Sequence, residues 1–328
     1  MRLVDAFGRV ATDLRLSLTD RCNLRCTYCM PAEGLPWIPR AELLTAAELA
    51  RLARIAVTRL GVRSIRLTGG EPTLRPDLIE IVAQLAALRP RPELSLTTNG
   101  LRLRGMAEGL RAAGLDRVNV SLDTLDPQRF RRISRRDGLA DVVAGLDAAA
   151  AAGLHPVKVN AVLVRGVNED EAVSLLRFCL RCGYELRFIE QMPLDPHGAW
   201  NRADVVTAAE IRSALSEHHR LVPMPGRGSA PAESFLVDDG PARVGLIAAV
   251  TAPFCQACDR VRLTADGQIR NCLFARVETD LRTPLRAGEA DEDLAARWVM
   301  AVHAKKAGHG IDDPAFVAPQ RPMSAIGG

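Results

Sequence analysis

The chain has 328 residues, of which 48% are hydrophobic and 25% are charged, and its formal net charge at pH 7 is +4. This length is enough for one large α/β domain plus a smaller one, and the composition excludes an intrinsically disordered chain. So mild a charge also argues against a nucleic-acid-binding protein, which would need a concentrated basic face.

Strand-like and helix-like segments alternate along about the first two thirds of the chain. Thr45 and Glu48 form a capping box that predicts a helix ending at Gly61, and Asn168 is the predicted N-cap of a helix that ends at Gly183. Strands that alternate with helices favour parallel pairing, in either an open partial barrel or a doubly wound sheet. The predicted strands are Leu14–Leu18, Ser64–Thr68, Glu93–Thr97, Arg117–Leu122, Val157–Val162 and Glu185–Ile189.

Polar or glycine-rich segments follow nearly every predicted strand. Their location at the strand ends favours the barrel over the doubly wound sheet. Barrel enzymes build their sites at the carboxyl ends of the strands. We therefore expect a partial (βα)6 TIM-type barrel in residues 1–222. The segments concerned are the cysteine loop at 22–29, Thr68–Pro72, Thr97–Gly100, Ser121–Asp123, Lys158 with Asn160, and Glu190–Met192.

The first cysteine loop carries Cys22, Cys26 and Cys29 in a Cys-x3-Cys-x2-Cys array. No apolar run is long enough to span a membrane and the amino terminus lacks the core of a signal peptide, so a cytoplasmic location is expected. In a reducing compartment, clustered thiols bind metals or act in catalysis more often than they form disulfides. Three soft thiolates suit a [4Fe–4S] cluster with one open iron, and a structural zinc loop is the alternative.

The loop after the second strand reads Gly69-Gly-Glu-Pro72. Two glycines let the backbone approach a ligand closely, and the carboxylate of Glu71 could receive an ammonium group.

Residues 223–328 are predicted to form a smaller α+β domain. The Pro- and Gly-rich segment Pro223–Pro231 indicates a linker, and Asp266-Gly267 indicates a hairpin turn. A capping box at Thr207 and Glu210 precedes them. The predicted elements are the strands Ser234–Val237, Ala242–Ile247, Arg260–Thr264 and Gln268–Cys272, and a helix over Asp291–Ala304.

A second group of three cysteines, Cys255, Cys258 and Cys272, lies in this domain, and the predicted hairpin would fold Cys272 back toward the other two. His303 and His309 are remote in sequence, so a zinc tetrahedron would have to borrow a distant ligand. A second iron–sulfur cluster with its own open iron is the more specific hypothesis. Two sites with three thiolates each are far more specific than either one alone.

These motifs resemble those of the radical S-adenosylmethionine (SAM) superfamily and, within it, the GTP 3′,8-cyclase family of molybdenum cofactor biosynthesis. The resemblance covers essentially the whole chain, and its second cysteine group and Gly-Gly end are the discriminating parts. The matching segments are Asp13–Pro31, Arg66–Pro72, Thr97–Gly100, Asn119–Asp123, Arg187–Met192, Phe254–Leu263, Cys272–Phe274 and Gly327–Gly328.

The resemblance implies two [4Fe–4S] clusters, SAM as cofactor and GTP as substrate. In this family a 5′-deoxyadenosyl radical takes hydrogen from C3′ of GTP, and the carbon radical closes onto C8 to give (8S)-3′,8-cyclo-7,8-dihydroguanosine 5′-triphosphate. It also implies an electron donor, a downstream cyclic pyranopterin monophosphate synthase, a homodimer, and a tail that enters the active site. A peptide-modifying radical SAM enzyme and a non-catalytic zinc protein are the alternatives.

The site residues implied by the resemblance fall into three sets. Several cations facing one site would neutralise a triphosphate. The implied cluster ligands are Cys22, Cys26, Cys29, Cys255, Cys258 and Cys272, and the implied SAM contacts are Tyr28, Gly70, Ser121 and Met192. The implied GTP contacts are Arg15, Arg66, Thr97, Lys158, Arg260, Val261 and Arg262. Of these, Arg15, Arg260 and Arg262 are also the catalytic candidates, and Arg187 is an additional cation. Cys179 and Cys182 match no ligand position.

Overall fold

The computed structural model describes residues 1–194, 198 and 200–327, and a single 12-stranded sheet organises this part of the chain. The spatial order of its strands is β12-β11-β10-β1-β2-β3-β4-β5-β6-β9-β8-β7. The strands are β1 (Asp13–Ser17), β2 (Ser64–Thr68), β3 (Glu93–Thr98), β4 (Arg117–Ser121), β5 (Lys158–Val162), β6 (Glu185–Ile189), β7 (Leu221–Pro223), β8 (Glu233–Val237), β9 (Arg243–Ile247), β10 (Arg260–Leu263), β11 (Gln268–Arg270) and β12 (Thr279–Asp280).

Parallel pairing joins β1 through β6 in sequence order, and it also joins β10 to β1 and β9 to β6. The helices that follow the strands have the lengths expected of crossover connections. The predicted partial barrel is confirmed. The helices are α1 (Ala46–Thr58), α2 (Leu78–Ala86), α3 (Ala107–Ala112), α4 (Pro127–Ser134), α5 (Leu139–Ala151), α6 (Ala172–Cys182), α7 (Ala208–Ser216), α8 (Arg282–Arg286), α9 (Asp291–His303) and α10 (Met323–Ile326). None of the helices described is both long and apolar enough to cross a membrane.

The strands separate an apolar face from a polar one. In β1, Leu14 and Leu16 are fully buried in the main hydrophobic core, and Arg15 lies between them on the opposite face. Successive side chains of a strand point to opposite faces, so the strand register extends this polar face across the sheet. It forms the barrel lumen, and its members include Ser17, Arg66, Thr68, Ser95, Thr97, Arg117, Asn119, Ser121, Lys158, Asn160, Arg187, Arg260 and Arg262.

The C-terminal strands extend both edges of the barrel sheet. Strand β9 pairs with β6 and β10 pairs with β1, so the region after residue 222 shares one sheet with the barrel. The division into residues 1–222 and 223–328 stays a prediction, with its boundary inside β7. The predicted linker Pro223–Pro231 is instead the connection of the β7–β8 hairpin, where Met224 N donates to Ser234 O at 2.9 Å. Proline and glycine serve a hairpin loop as well as a linker.

Most of the predicted helix signals are present. The capping boxes at Thr45 and Thr207 are both formed, and the turn at Gly267 closes the β10–β11 hairpin. Asn168 stands at the N-cap position of the 3-10 turn Glu169–Glu171, which leads directly into α6, and α6 ends at Gly183 as predicted. The Asn168 side chain makes no capping hydrogen bond: it accepts from Val164 N at 2.7 Å and donates to Asp123 O at 2.7 Å, and so joins two loops.

A buried carboxylate fixes the end of β6. Glu190 is 1% exposed, and its oxygens accept from Ala208 N at 2.8 Å, Val250 N at 2.8 Å, and both the backbone N and the hydroxyl of Thr251 at 2.9 and 2.5 Å. This residue of the predicted Glu190–Met192 signature therefore ties the loop after β9 to the start of α7.

Replacing Glu190 with Ala should destabilise the apoprotein, because buried donors would lose their acceptor. We expect the free energy of unfolding to fall by at least about 2 kcal/mol, as measured by urea-induced loss of helical circular dichroism. Glu217→Ala, at an exposed position that follows α7, is the matched control, with an expected change below about 0.5 kcal/mol. Equal effects of the two substitutions would contradict this role.

Candidate active site

The first cysteine loop follows β1 and is held by backbone hydrogen bonds. Arg25 N donates to Ser134 O at 2.9 Å, and Thr27 N donates to Ile133 O at 3.0 Å, so the end of α4 fixes the loop from outside. The three predicted ligands Cys22, Cys26 and Cys29 line one solvent-open cavity at the mouth of the barrel. The loop thus brings the first three thiols together.

The two glycines after β2 are required by a close backbone approach. Gly70 N donates to Thr19 O at 2.7 Å. A Cβ at Gly69, where φ is +134°, would lie 2.2 Å from Thr19 O, and one at Gly70 would lie 2.4 Å from Asp20 O. Side chains at either position would push the base of the cysteine loop away, so these glycines fix where the loop begins.

Glu71 lines the first cavity and also holds its floor together. Its buried Oε1 accepts from Thr73 N at 3.0 Å, Thr73 Oγ1 at 2.6 Å and Thr98 Oγ1 at 2.7 Å, and its Oε2 accepts from Asn99 N at 2.6 Å. Its role as an ammonium acceptor stays a prediction. The bond to Asn99 N positions a residue whose side-chain amide contacts Cys22 Sγ at 3.9 Å.

Three of the four predicted SAM contacts, Tyr28, Gly70 and Ser121, line the first cavity. The Tyr28 hydroxyl donates to Asp123 at 2.6 Å, and Val162 N donates to the same carboxylate at 2.8 Å. Burial raises the pKa of Asp123 to about 6. Because the Tyr28 hydroxyl bonds Asp123, the part of Tyr28 that faces the cavity is its ring.

The second set of thiols also converges. Cys255 opens a 3-10 turn in which Cys258 N donates to Cys255 O at 3.1 Å, and the β10–β11 hairpin returns Cys272 to their side. All three line one cavity together with Arg260 and Arg262. The predicted fold-back of Cys272 is confirmed.

His309, set aside because it is remote in sequence, lies in this second cavity. Its Nδ1 accepts from Ile311 N at 3.1 Å, whereas its buried Nε2 has no partner in the described part of the chain. Sequence reasoning missed this residue because only the tertiary path of the segment after α9 brings it back to the cysteines.

The donor set distinguishes a cluster from a single ion. Among the described residues, no three His, Cys, Asp or Glu side chains form a group that could hold one metal ion. Zinc needs four donors within roughly 2.0–2.3 Å of one centre. A [4Fe–4S] cluster spreads its thiolates over separate irons, so three sulfurs around a wide cavity fit it at both sites.

More cations than carboxylates line the lumen between the two thiol sites. Arg15, Arg66 and Arg262 share one register across β2, β1 and β10. Arg15 bonds Asp13 at 3.0 Å, whereas the single atoms Arg66 Nε and Arg262 Nη1 are buried without partners in the region described. Burial and the neighbouring Arg15 lower the pKa of Arg262 to about 9. Asp13 offsets part of this positive charge, and the excess that remains suits a polyanion.

The remaining predicted GTP contacts divide between the lumen and the core. Thr97 lines the first cavity with a buried hydroxyl that has no partner among the described atoms, and Lys158 bonds Glu185 at 2.8 Å. Arg260 stacks on the Phe254 ring at 4.8 Å. Val261 is corrected: it is 1% exposed, and its side chain packs into the core on the opposite face of β10, so it offers no side-chain contact to the lumen.

The two thiol sites open into neighbouring spaces. A smaller cavity lies between them and shares Tyr28, Cys29 and Met323 with the first cavity. It shares Met192 with the second cavity, so this predicted SAM contact stands at the passage between the two. The sites do not open onto opposite surfaces.

The C-terminal tail enters the lumen as far as the structure describes it. Ser17 Oγ donates to Ile326 O at 2.9 Å, and Ser324 lines the first cavity. A Cβ at Gly327, where φ is +86°, would lie 2.1 Å from Ser17 Oγ, so only glycine fits there. Gly328 of the predicted Gly-Gly end lies outside the described residues.

Comparison with known proteins adds family relationships to this geometry. The radical SAM superfamily model matches residues 16–179, and the model described as Molybdenum Cofactor Synthesis C matches residues 184–311. A GTP 3′,8-cyclase of Streptomyces coelicolor is 61% identical over 99% of this chain and 96% of its own length. A GTP 3′,8-cyclase of Mycobacterium sp. (strain KMS) is 62% identical over 99% of this chain and 93% of its own.

Solved structures show the fold. The crystal structure of Streptococcus suis SuiB bound to S-adenosylmethionine superposes with a TM-score of 0.65 and covers 94% of this chain and 69% of its own. Sequence identity is 15%, so the likeness concerns the architecture alone.

Proposed function

The chain belongs to the GTP 3′,8-cyclase family of radical SAM enzymes, and from that premise we propose that it converts GTP to (8S)-3′,8-cyclo-7,8-dihydroguanosine 5′-triphosphate in molybdenum cofactor synthesis. The observation that carries the proposal for its site is the cation-lined lumen between two sets of three thiols. A triphosphate accounts better than a peptide for buried guanidinium nitrogens without partners in the described region, which Arg66, Arg260 and Arg262 each have.

In this proposal Cys22, Cys26 and Cys29 hold the first [4Fe–4S] cluster. When bound, the cluster supplies an open iron and one electron for the cleavage of SAM. The chain's own contribution is placement: the Gly70 backbone and Ser121 border the space for the cofactor, and the ring of Tyr28 borders it from the cysteine loop.

The substrate would lie between the two thiol sites. Arg15, Arg66 and Lys158 would bind the triphosphate, with Arg187 on the same face, because these cations share the polar face of the sheet. Thr97 would contact GTP beside the first site.

The second site would hold another cluster through Cys255, Cys258 and Cys272, and its donor set supports an open iron that binds the guanine. Arg260 and Arg262 border that cavity and are the proposed catalytic cations, with Arg15 beside them.

The cellular setting is proposed from the family resemblance. It comprises a cytoplasmic location, a one-electron donor, a homodimer, and transfer of the product to cyclic pyranopterin monophosphate synthase. All eight cysteines are free, which fits a reducing compartment.

Anaerobic turnover tests the proposed reaction. Protein reconstituted with iron and sulfide, then given SAM, GTP and dithionite, should form 5′-deoxyadenosine and the cyclised nucleotide in equal amounts by mass spectrometry. Cys22→Ala should abolish both products. Cys272→Ala should abolish the cyclised nucleotide while the first cluster remains visible by electron paramagnetic resonance.

Cys182→Ala is the matched control, because this exposed thiol lies outside both sites, and it should turn over normally. Iron-loaded wild-type protein that formed neither product would contradict the proposed function. A colourless protein that took up zinc in place of iron would favour a non-catalytic zinc protein.

Lys158 should make GTP binding depend on pH. Burial, aided by Arg187, lowers the pKa of Lys158 to about 8. Below that pH the ammonium is charged and attracts the triphosphate, and above it the charge is lost. We expect GTP affinity to weaken by up to about tenfold between about pH 7 and pH 9, measured by anaerobic equilibrium dialysis.

In Lys158→Arg the guanidinium stays charged, so this decline should disappear. Lys306→Arg, at an exposed position, should keep the wild-type profile. An unchanged decline in Lys158→Arg would show that another group titrates.

A further inference from the structure

Lys305 is a buried cation that no carboxylate of the described residues neutralises. It lies two residues past the end of α9 and is 5% exposed. Its Nζ donates to Cys258 O at 3.1 Å, Cys258 Sγ at 3.3 Å and Arg260 O at 2.9 Å. These bonds use all three ammonium protons, and no ion pair to Lys305 occurs within the described residues.

A buried ammonium is costly unless a negative charge accompanies it. Of its three partners, two are neutral carbonyl oxygens, so the Cys258 sulfur is the partner able to carry the compensating charge. The guanidinium of Arg260 lies nearby as a second cation. Lys305 Nζ lies within hydrogen-bond distance of the Cys258 sulfur, at 3.3 Å.

The other cysteine of the same turn differs. The guanidinium of Arg9 donates to the carbonyl oxygen of Cys255 at 2.7 Å and not to its sulfur. The second thiol site is therefore asymmetric, because the Lys305 ammonium bonds the sulfur of Cys258.

We propose that Lys305 is a positioning residue for the second [4Fe–4S] cluster: it fixes the Cys258 sulfur, helps the site retain iron, and raises the cluster's reduction potential. This inference rests on the proposed function, which places a cluster at the second site. An N–H···S bond and a nearby cation stabilise the extra electron of a reduced cluster, and partners behind a ligand also set its affinity for metal.

The same ammonium links the metal site to the substrate face. Its bond to Arg260 O fixes the start of β10, the strand that carries Arg260 and Arg262 into the second cavity. One side chain thereby sets both the direction of a cluster ligand and the position of the cations proposed to contact GTP.

The test uses full-length protein in which Cys22, Cys26 and Cys29 are all replaced by Ala, so that only the second site can load. Lys305→Met keeps the length and removes the charge, and Lys306→Met is the matched control at the exposed neighbouring lysine. Each variant is reconstituted anaerobically and titrated by potentiometry with electron paramagnetic resonance. Iron release to a chelator is measured in parallel.

For Lys305→Met we expect the equilibrium constant for one-electron reduction to fall about tenfold, which is a shift of about 59 mV to lower potential. Iron should leave about tenfold faster. Lys305→Arg keeps the charge and should retain most of the potential, whereas Lys305→Gln should resemble Met. This order separates an electrostatic role from a purely structural one.

Identical potentials and iron release in Lys305→Met and Lys306→Met would overturn the inference. A site that binds no cluster when Lys305 is intact would instead refute the proposed function. Circular dichroism of each apoprotein identifies any variant that fails to fold, and the Arg and Gln variants then decide the question.

Discussion

The alternation of apolar and polar residues along the parallel strands is the constraint on which the rest of the structure depends. In β1, for example, Leu14 and Leu16 bury against the helices while Arg15 faces inward. The same alternation in the neighbouring strands produces an apolar layer under the helices and a polar lumen inside the sheet. Most TIM-type barrels fill that interior with branched apolar side chains. Here the interior is left for ligands.

That lumen is electrostatically unfavourable without an occupant. Arg66 and Arg262 are buried with nitrogen atoms that lack partners in the described part of the chain, and they repel Arg15 between them. Leaving charges buried and unpaired costs several kcal/mol, so the fold holds a strain that a polyanion would relieve. A triphosphate supplies the missing charge, which is why substrate binding and site geometry are closely coupled in this account.

Local patterns predicted the barrel strands, both cysteine groups and the β10–β11 hairpin, because each depends on nearby residues. Sequence reasoning missed β7, because the connection of the β7–β8 hairpin has the composition of a linker, and it missed α10. The entry of the tail into the site was expected from the resemblance, whereas its contact with Ser17 depends on segments distant in the chain. Sequence reasoning also missed His309 and Lys305, which reach the second thiol site only through the path of the chain after α9. Spacing alone did not reveal which donors surround the Glu71 carboxylate.

The central claim is that two open irons face one lumen, the first reserved for SAM and the second for GTP. Electron paramagnetic resonance of proteins with only one set of cysteines intact tests it directly. SAM should change the spectrum of the first cluster alone, and GTP should change that of the second cluster alone, with hyperfine coupling to ¹⁵N-labelled guanine. Spectra insensitive to both ligands, or a GTP response that survives replacement of Cys255, Cys258 and Cys272 by Ala, would contradict the account.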